Sequence, residues 1–477
     1  MIDDQELQQL PARNENMIAN YEKRGNILRV VVVDLAKSER IVARNLLHQN
    51  SPRYGHYSWG RSVGTRPCQV WVEGQEYKDI NAKLEPIKQA KQKVAKDKQR
   101  LLRRIQMLQT PTNVDGSDAE EYQNLLRDLE ILQFHEDSIK IDLEKIENQI
   151  RLHEQEKTIY KQEAKRIQQE DDSPFRGFPL HHNRYVLLNL LGKGGFGEVF
   201  KAFDMEENEY VACKLHLLGP PTIKNELLKD DILRHMKREW NVHKTLVHPH
   251  IIRHLDNFTI NNYTYCTVLE LCSGNDLQFA LKTRGTFAEK DAKVLISQTL
   301  HGLAYLDGQA ERIIHYDLKP ANILLADDGV VKISDFGLCK VMEAGSESLE
   351  LTSPGAGTIW YLPPECLVEG ANRQISTKVD VWSAGVVFYE LLFGRVPFGF
   401  GPGKTRDTIK QEIIANALHF PPIPKISSEA KAFIRHCLTY DQVSRPSAGT
   451  LVQNPYLTPS RQNVSWLGPG SSSSFVH

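Results

Sequence analysis

Three side chains stand at fixed offsets in the stretch Ile313-Ile314-His315-Tyr316-Asp317-Leu318-Lys319-Pro320-Ala321-Asn322-Ile323-Leu324-Leu325. They are a carboxylate, an amine two residues on and an amide five residues on, in a polar loop flanked by apolar pairs. Such a set suits phosphoryl transfer, where a protein supplies little covalent chemistry and mostly positions groups and neutralises charge. Asp317 could orient and deprotonate an incoming hydroxyl, Lys319 could face phosphate oxygens, and Asn322 could hold a metal ion. Ten residues past Leu325, the apolar strand signal Val331-Lys332-Ile333-Ser334 runs into Asp335-Phe336-Gly337. Asp335 should project from the strand end as a hard oxygen ligand suited to Mg²⁺. Upstream lies Leu190-Leu191-Gly192-Lys193-Gly194-Gly195-Phe196-Gly197-Glu198-Val199, and then Val211-Ala212-Cys213-Lys214. Glycines at these offsets also fit a dinucleotide-binding turn. Here the β-prone Glu198-Val199-Phe200 follows, where a dinucleotide-binding unit would open a helix, so the glycines read as a strand-turn-strand flap over phosphates.

The elements that must carry these residues come from the whole chain. Its 477 residues suggest two or three domains, and 40% apolar residues can form a sizeable core. A formal net charge of -1 argues against bulk attraction to nucleic acid or membrane. Neither a nucleic-acid site nor a membrane segment is expected. The seven cysteines, Cys68, Cys213, Cys266, Cys272, Cys339, Cys366 and Cys437, form no Cys-x-x-Cys pair. They support neither zinc nor a disulfide framework, and a reducing compartment follows. The first residues carry no leader-like apolar core, so a soluble intracellular protein is expected.

Residues 1–79 read as an N-terminal helical and irregular segment. Val30 to Val33 could be strand, Leu35 to Leu47 reads as an amphipathic helix, and the aromatic stretch 51–77 suggests a loop or short hairpin. Those aromatics are expected to form a satellite core more readily than a binding surface. From 80 to 109, apolar residues fall at 80, 84, 87, 94, 101, 105 and 108, which is heptad spacing. The Pro- and Gly-bearing loop 110–117 breaks it, and Ser117-Asp118-Ala119-Glu120 has the form of a capping box. A second run over 118–171 places Tyr122, Leu125, Leu129, Leu132, Ile139, Leu143, Ile146, Ile150, Tyr160, Ala164 and Ile167 on one seam, with Glu136, His153 and Lys157 filling its gaps. Two helices of unequal length leave part of the longer seam bare as an intramolecular hairpin, which favours self-association as a homodimer through the coiled coil. A linker, 172–183, carries Phe175 and Phe178, which could cover the next domain. That domain runs over 184–457, and a disordered tail is expected at 458–477.

The four motifs, in this order and spacing, resemble the signature of protein kinases. The fold class implied is α+β, a two-lobed kinase fold preceded by an extended α-helical coiled-coil region, with ATP and Mg²⁺ as cofactors. The resemblance implies that Gly192, Gly194 and Gly197 let the backbone approach phosphates, and that Leu191, Val199 and Ala212 cover the adenine from above with Leu324 below. It implies Lys214 on the α- and β-phosphates, paired with Glu239 (Glu226 the runner-up), and Glu270 to Cys272 as the hinge, with Leu269 behind it. Asp317 becomes the catalytic base, Lys319 the γ-phosphate contact, and Asn322 and Asp335 the metal ligands. Glu365 of Pro363-Pro364-Glu365 should pair with Arg445, a surface ion pair being the plain alternative, and Asp380 should brace the catalytic loop. Lys319 and Gly357-Thr358 resemble serine/threonine kinases. Tyr316 departs from the pattern, since most kinases carry there an Arg that clamps a phosphorylated loop.

His315-Tyr316-Asp317-Leu318-Lys319-Pro320, Leu351 through Cys366, Arg238 through Lys244 and Trp71 through Tyr77 are together similar to the tousled-like kinases. That resemblance covers roughly residues 25 to 457. It implies a nuclear serine/threonine kinase, dimeric and autophosphorylating, acting on histone chaperones of the anti-silencing type in chromatin assembly. Ser346, Ser348, Thr352, Ser353 and Thr358 are the candidate autophosphorylation sites. The alternative is an ATP-binding coiled-coil scaffold with little turnover.

Overall fold

The computed structural model describes residues 4–61, 67–108, 116–194, 197–217, 240–261, 263–351, 357–368, 373–401 and 403–457, with side chains from residue 23 onward except at 59–61, 67–68 and 116–119. They form two compact units, Ser38–Ile167 on one hand and Met1–Lys37 with Gln168–His477 on the other. The mixed α+β architecture is the expected one.

In the unit Ser38–Ile167, the end of helix α1 (Asp4–Tyr54) leads into an antiparallel hairpin of β1 (Gly55–Arg61) and β2 (Pro67–Glu73). Two helices follow, α2 (Gln75–Leu108) and α3 (Gly116–Asp171). Their ties run in opposite directions along the chain: Arg104 meets Glu121, Lys98 meets Glu136, and Glu76 meets His153. The two helices are therefore an antiparallel hairpin within one chain. Leu125 and Ile146, expected on a seam between two copies, are buried inside it. The unequal arm lengths that favoured a second copy are made good by the preceding elements. Tyr54 packs tilted and Trp71 edge-on against Tyr160 of the longer arm at 5.3 and 6.1 Å, and Tyr57 meets Trp71 edge-on at 5.0 Å. Tyr54, Trp71 and Tyr160 thus form a small satellite core, while Tyr57 stays partly exposed at its edge. The polar residues in the seam are matched with charge: His153 Nδ1 lies 2.9 Å from Glu76, and Lys157 donates to Glu73 and Glu154.

The other unit holds a six-stranded antiparallel sheet ordered β3-β4-β5-β6-β8-β7. Its strands are β3 (Leu180–His181), β4 (Tyr185–Gly194), β5 (Gly197–Asp204), β6 (Glu209–Leu217), β7 (His254–Asn261) and β8 (Thr264–Glu270). Successive residues of a strand face opposite ways, and both faces of β4 are apolar. Tyr185, Leu187 and Leu190 join Phe200, Val211 and Leu215 in one core. Val186 and Leu188 join Phe203 in another, which Val32 and Ala36 of α1 complete with Leu28 and Val33 beside them. The ambiguous run Val30 to Val33 is helical because residues 28, 32 and 36, one turn apart, all land on that sheet face. Phe175 packs on the first core and Phe178 on the second, as expected of the linker.

Beyond the sheet lies a helical lobe around α4 (Leu277–Arg284), α5 (Glu289–Asp307) and α6 (Lys378–Phe393). All but two residues of α6, Lys378 and Glu390, are buried, with Trp382 at its centre. Short strands β9 (Ile313–Ile314), β10 (Ile323–Leu325), β11 (Val331–Ile333) and β12 (Lys340–Val341) pair as β10–β11 and β9–β12. They fix both ends of the loop that carries Asp317.

Candidate active site

The catalytic loop is held by its apolar flanks and by one buried acid. Ile313, Ile314 and Ile323 are in the core. Asp380, in the first turn of α6, accepts hydrogen bonds from the backbone N–H groups of His315 at 2.7 Å and Tyr316 at 2.9 Å. Burial pushes the Asp380 carboxyl up to about 6, against the pull of His315 and the two N–H donors. Its grip fixes Tyr316 at φ 68°, a left-handed conformation that a side chain disfavours by about 1–2 kcal/mol. The residue that follows this kink is Asp317, itself buried.

Around Asp317 the predicted groups converge. Lys319 Nζ donates to Asp317 Oδ2 at 2.5 Å, and Asn322 Nδ2 donates to the Asp317 carbonyl at 2.8 Å and to Oδ2 at 3.2 Å. Thr358 Oγ1 donates to Asp317 Oδ1 at 3.1 Å and accepts from Lys319 at 3.2 Å. Thr358 therefore bridges the acid and the amine, a role its sequence context did not reveal. Ser334 ties β11 to the loop through its N–H and hydroxyl, both donating to the Asn322 carbonyl. The next residue, Asp335, has φ 66° and receives Lys214 Nζ from β6 at 2.5 Å. Burial opposes charge on Asp335, yet the Lys214 ammonium outweighs it and holds the carboxyl below its usual range. Phe336 is buried between His243 and His315, with ring centres 4.6 and 5.1 Å away. Burial lowers His243 to about 4, so it is neutral there, and its Nε2 lies 2.7 Å from the Ile252 carbonyl.

The flap is the β4–β5 pair, with Gly192 opposite Val199 and Gly194 opposite Gly197. Among the described residues, a Cβ at Gly192 or Gly194 would meet nothing within 4 Å, which leaves room there for a ligand. Gly197 is demanded by the fold itself, with φ 142° and the Leu215 carbonyl 1.8 Å from where a Cβ would stand. Ala212 is buried, Val199 and Leu324 are half-buried, and Leu191 is exposed. In the hinge, the Glu270 carboxylate is engaged by the Arg253 N–H at 2.7 Å and Lys332 at 2.9 Å. Any hold on a base at this position falls to the main chain. Gly274 lets the hinge run against Leu325, whose carbonyl lies 1.6 Å from its ideal Cβ, and Cys272 is half-buried beside it. Glu239, its runner-up Glu226, and Thr352 and Ser353 lie outside the described residues; residues 240–243, just after Glu239, are helical.

Glu365 and Arg445 form no surface pair. Arg445 is fully buried, bidentate to Glu365 at 2.8 and 3.1 Å, and donates further to the carbonyls of Lys378 and Thr439. Tyr316 fills the interior beside Cys366, whose thiol burial raises to about 12.

For Mg²⁺ the donor set is one carboxylate, Asp335, and one amide, Asn322. Among the described residues no group of three or more His, Cys, Asp or Glu could hold a metal. A lone carboxylate with an amide fits Mg²⁺ only when phosphate oxygens and water complete the shell, which is its usual habit at nucleotide sites. The residues therefore fit a nucleotide-bound ion.

A lysine-bearing strand under a glycine flap, and a loop acid beside an Asp-Phe-Gly turn, define a protein kinase domain, and residues 185–457 match the protein kinase domain family. The chain is 43% identical over 447 residues to the serine/threonine-protein kinase TOUSLED of Arabidopsis thaliana, covering 92% of this chain and 64% of that relative. It is 36% identical to tousled-like 1 of Homo sapiens, covering 93% and 63%, and 36% identical to tousled-like 2 of Xenopus tropicalis, covering 96% and 69%. The chain belongs to the tousled-like serine/threonine protein kinase family. It spans just under two thirds of the length of the first two of these relatives. Among the described residues, no helix is long and apolar enough to cross a membrane.

Proposed function

We propose that the chain transfers the γ-phosphate of ATP to serine and threonine hydroxyls of proteins. The observation that carries this reading is the convergence of Asp317, Lys319, Asn322 and Thr358 on one loop, with Lys214 and Asp335 joined beside it. Asp317 orients the incoming hydroxyl and takes its proton as the oxygen bonds to phosphorus and the bridge to the β-phosphate breaks. Lys319 steadies the transferring group. Lys214, now on Asp335, would turn to the α- and β-phosphates when nucleotide arrives. Asn322 and Asp335 would hold Mg²⁺, which supplies charge neutralisation along the phosphates. Incubation with labelled ATP and Mg²⁺ should label the protein and a serine-containing acceptor, and Asp317→Ala should abolish both. Equal labelling by the two proteins would refute the reading, and weak labelling by the unaltered chain would favour a scaffold with little turnover.

The resemblance to tousled-like kinases further supports autophosphorylation, action on histone chaperones in chromatin assembly, and residence in the nucleus. Self-association remains part of the proposal, on a different face from the buried seam. Ile131, Phe134, Ile141 and Leu152 of α3 are 53–75% exposed and recur on heptad steps, as a helix facing a second copy requires. Phe134→Ser with Ile141→Ser should give a monomer by sedimentation. An unaltered chain that sediments as a monomer would sink this part.

A further inference from the structure

We propose that the turn after the long helix, residues 170–175, positions the glycine flap and so sets the affinity for nucleoside triphosphate. This rests on the kinase reading above but concerns residues that precede the matched domain. Glu170, in the last turn of α3, is fully buried, and its Oε1 accepts the N–H of Leu190, two residues before Gly192, at 2.8 Å. Ser173 is 2% exposed, and its hydroxyl donates to Glu198 Oε2 at 2.6 Å. Glu198 is itself fully buried within the flap, and its other oxygen accepts Lys193 Nζ at 2.8 Å. Lys193 and Glu198 face each other across the flap strands, one step from the Gly194–Gly197 pair that closes it. Each flap strand is thus gripped from outside, β4 through Glu170 and β5 through Ser173.

The turn is built to act as a fixed point. Ser173 Oγ accepts from the Phe175 N–H at 3.1 Å, which directs its proton toward Glu198. Arg176 closes the turn on the Asp171 carbonyl at 2.6 Å, and Phe175 packs edge-on against Phe200 of β5 at 6.4 Å. The need for such a brace lies in the flap's composition. Glycine backbone is costly to order, and Gly192 and Gly194 bring no side chain to pack against their neighbours. The flap's placement therefore depends on its non-glycine residues, and two of their holds come from residues 170 and 173. Ser173 acts through Glu198 and touches no substrate, which makes it a positioning residue.

The test uses the full chain. Ser173→Ala leaves one buried Glu198 oxygen without its donor, and should raise the KM for ATP and the Kd of a fluorescent ATP analogue by about three- to tenfold with kcat unchanged. Ser173→Asp sets a second carboxylate against Glu198 and should raise both by more than about tenfold. Glu198→Gln, an amide that both repels less and needs less, should restore most of the binding lost in Ser173→Asp. Unchanged KM and Kd in both Ser173 variants would overturn the proposal, as would a parallel loss of kcat, binding and thermal stability without rescue. The nucleotide Kd is read without turnover. A failure of Asp317→Ala to abolish labelling would therefore strike the catalytic reading alone.

Discussion

Asp380→Asn should separate the brace of the catalytic loop from its chemistry. The carboxylate is 2% exposed and serves two backbone donors, one on each oxygen. An asparagine keeps one acceptor and turns an NH₂ group toward the other N–H, leaving a buried donor unpaired at a cost of about 1–3 kcal/mol. That N–H belongs to the residues that hold the left-handed turn at Tyr316, so the expense falls on the orientation of the neighbouring Asp317. If it is felt in the transition state, kcat falls by roughly 10- to 100-fold while the KM for ATP stays put, since the flap and Lys214 are untouched. The pH dependence has a distinctive sign. Burial raises Asp380 from the ordinary 3.8 to about 6. The native state therefore binds this proton more tightly than the unfolded chain, and stability from this group increases as pH falls from about 6 toward 4. Activity moves the other way, because a protonated carboxyl cannot accept both N–H groups. Initial rates of peptide phosphorylation from pH 5 to 8, beside thermal melts, should show an acid limb near 6 in the unaltered chain and none in the variant. A variant with kcat within twofold of the parent at pH 7.5, or the same acid limb in both, would refute the argument.

Glu365→Gln removes the charge that matches a fully buried guanidinium, and breaking such a pair costs about 3–5 kcal/mol. Calorimetry should show a Tm lower by roughly 10 °C, and a shift of only a degree would contradict the buried pairing. Thr358→Val deletes the bridge between Asp317 and Lys319 and should lower kcat by about tenfold with unchanged nucleotide affinity, read from steady-state kinetics beside nucleotide titration. Ile146→Asp places a charge in the hairpin interior and should melt the helical unit without changing the nucleotide Kd, whereas Phe134→Ser should leave its circular dichroism melt in place.

The catalytic loop, the Asp-Phe-Gly turn, the glycine flap and the heptads were legible because each repeats a local rule of spacing. Seam positions 125, 146 and 167 are buried as the heptads demand. What covers them was not legible, since a period of 3.5 residues says which face is apolar and nothing about which chain meets it. The aromatic hairpin that completes the longer arm is separated from Tyr160 by about ninety residues, beyond any pattern. The pairing of Glu365 with Arg445 was legible from the motif, but its burial was not, because arginines are mostly exposed; the carbonyls of Lys378 and Thr439, which take up the remaining donors, have no signature in the sequence. Ser173 and Glu170 carried no signal at all, being ordinary polar residues whose partners lie some twenty positions away in a strand pair.

The strip Leu28–Ala36 has a history as well as a place. The β-sheet face that shelters it, at Val186, Leu188 and Phe203, is made some 150 residues after it. At about 5–20 residues per second, the greasy ridge stands unprotected for roughly 8–30 seconds of every round of synthesis. A gene trimmed to begin near Arg184 would invert the problem, delivering the sheet without its cover and inviting precipitation rather than an orderly small lobe.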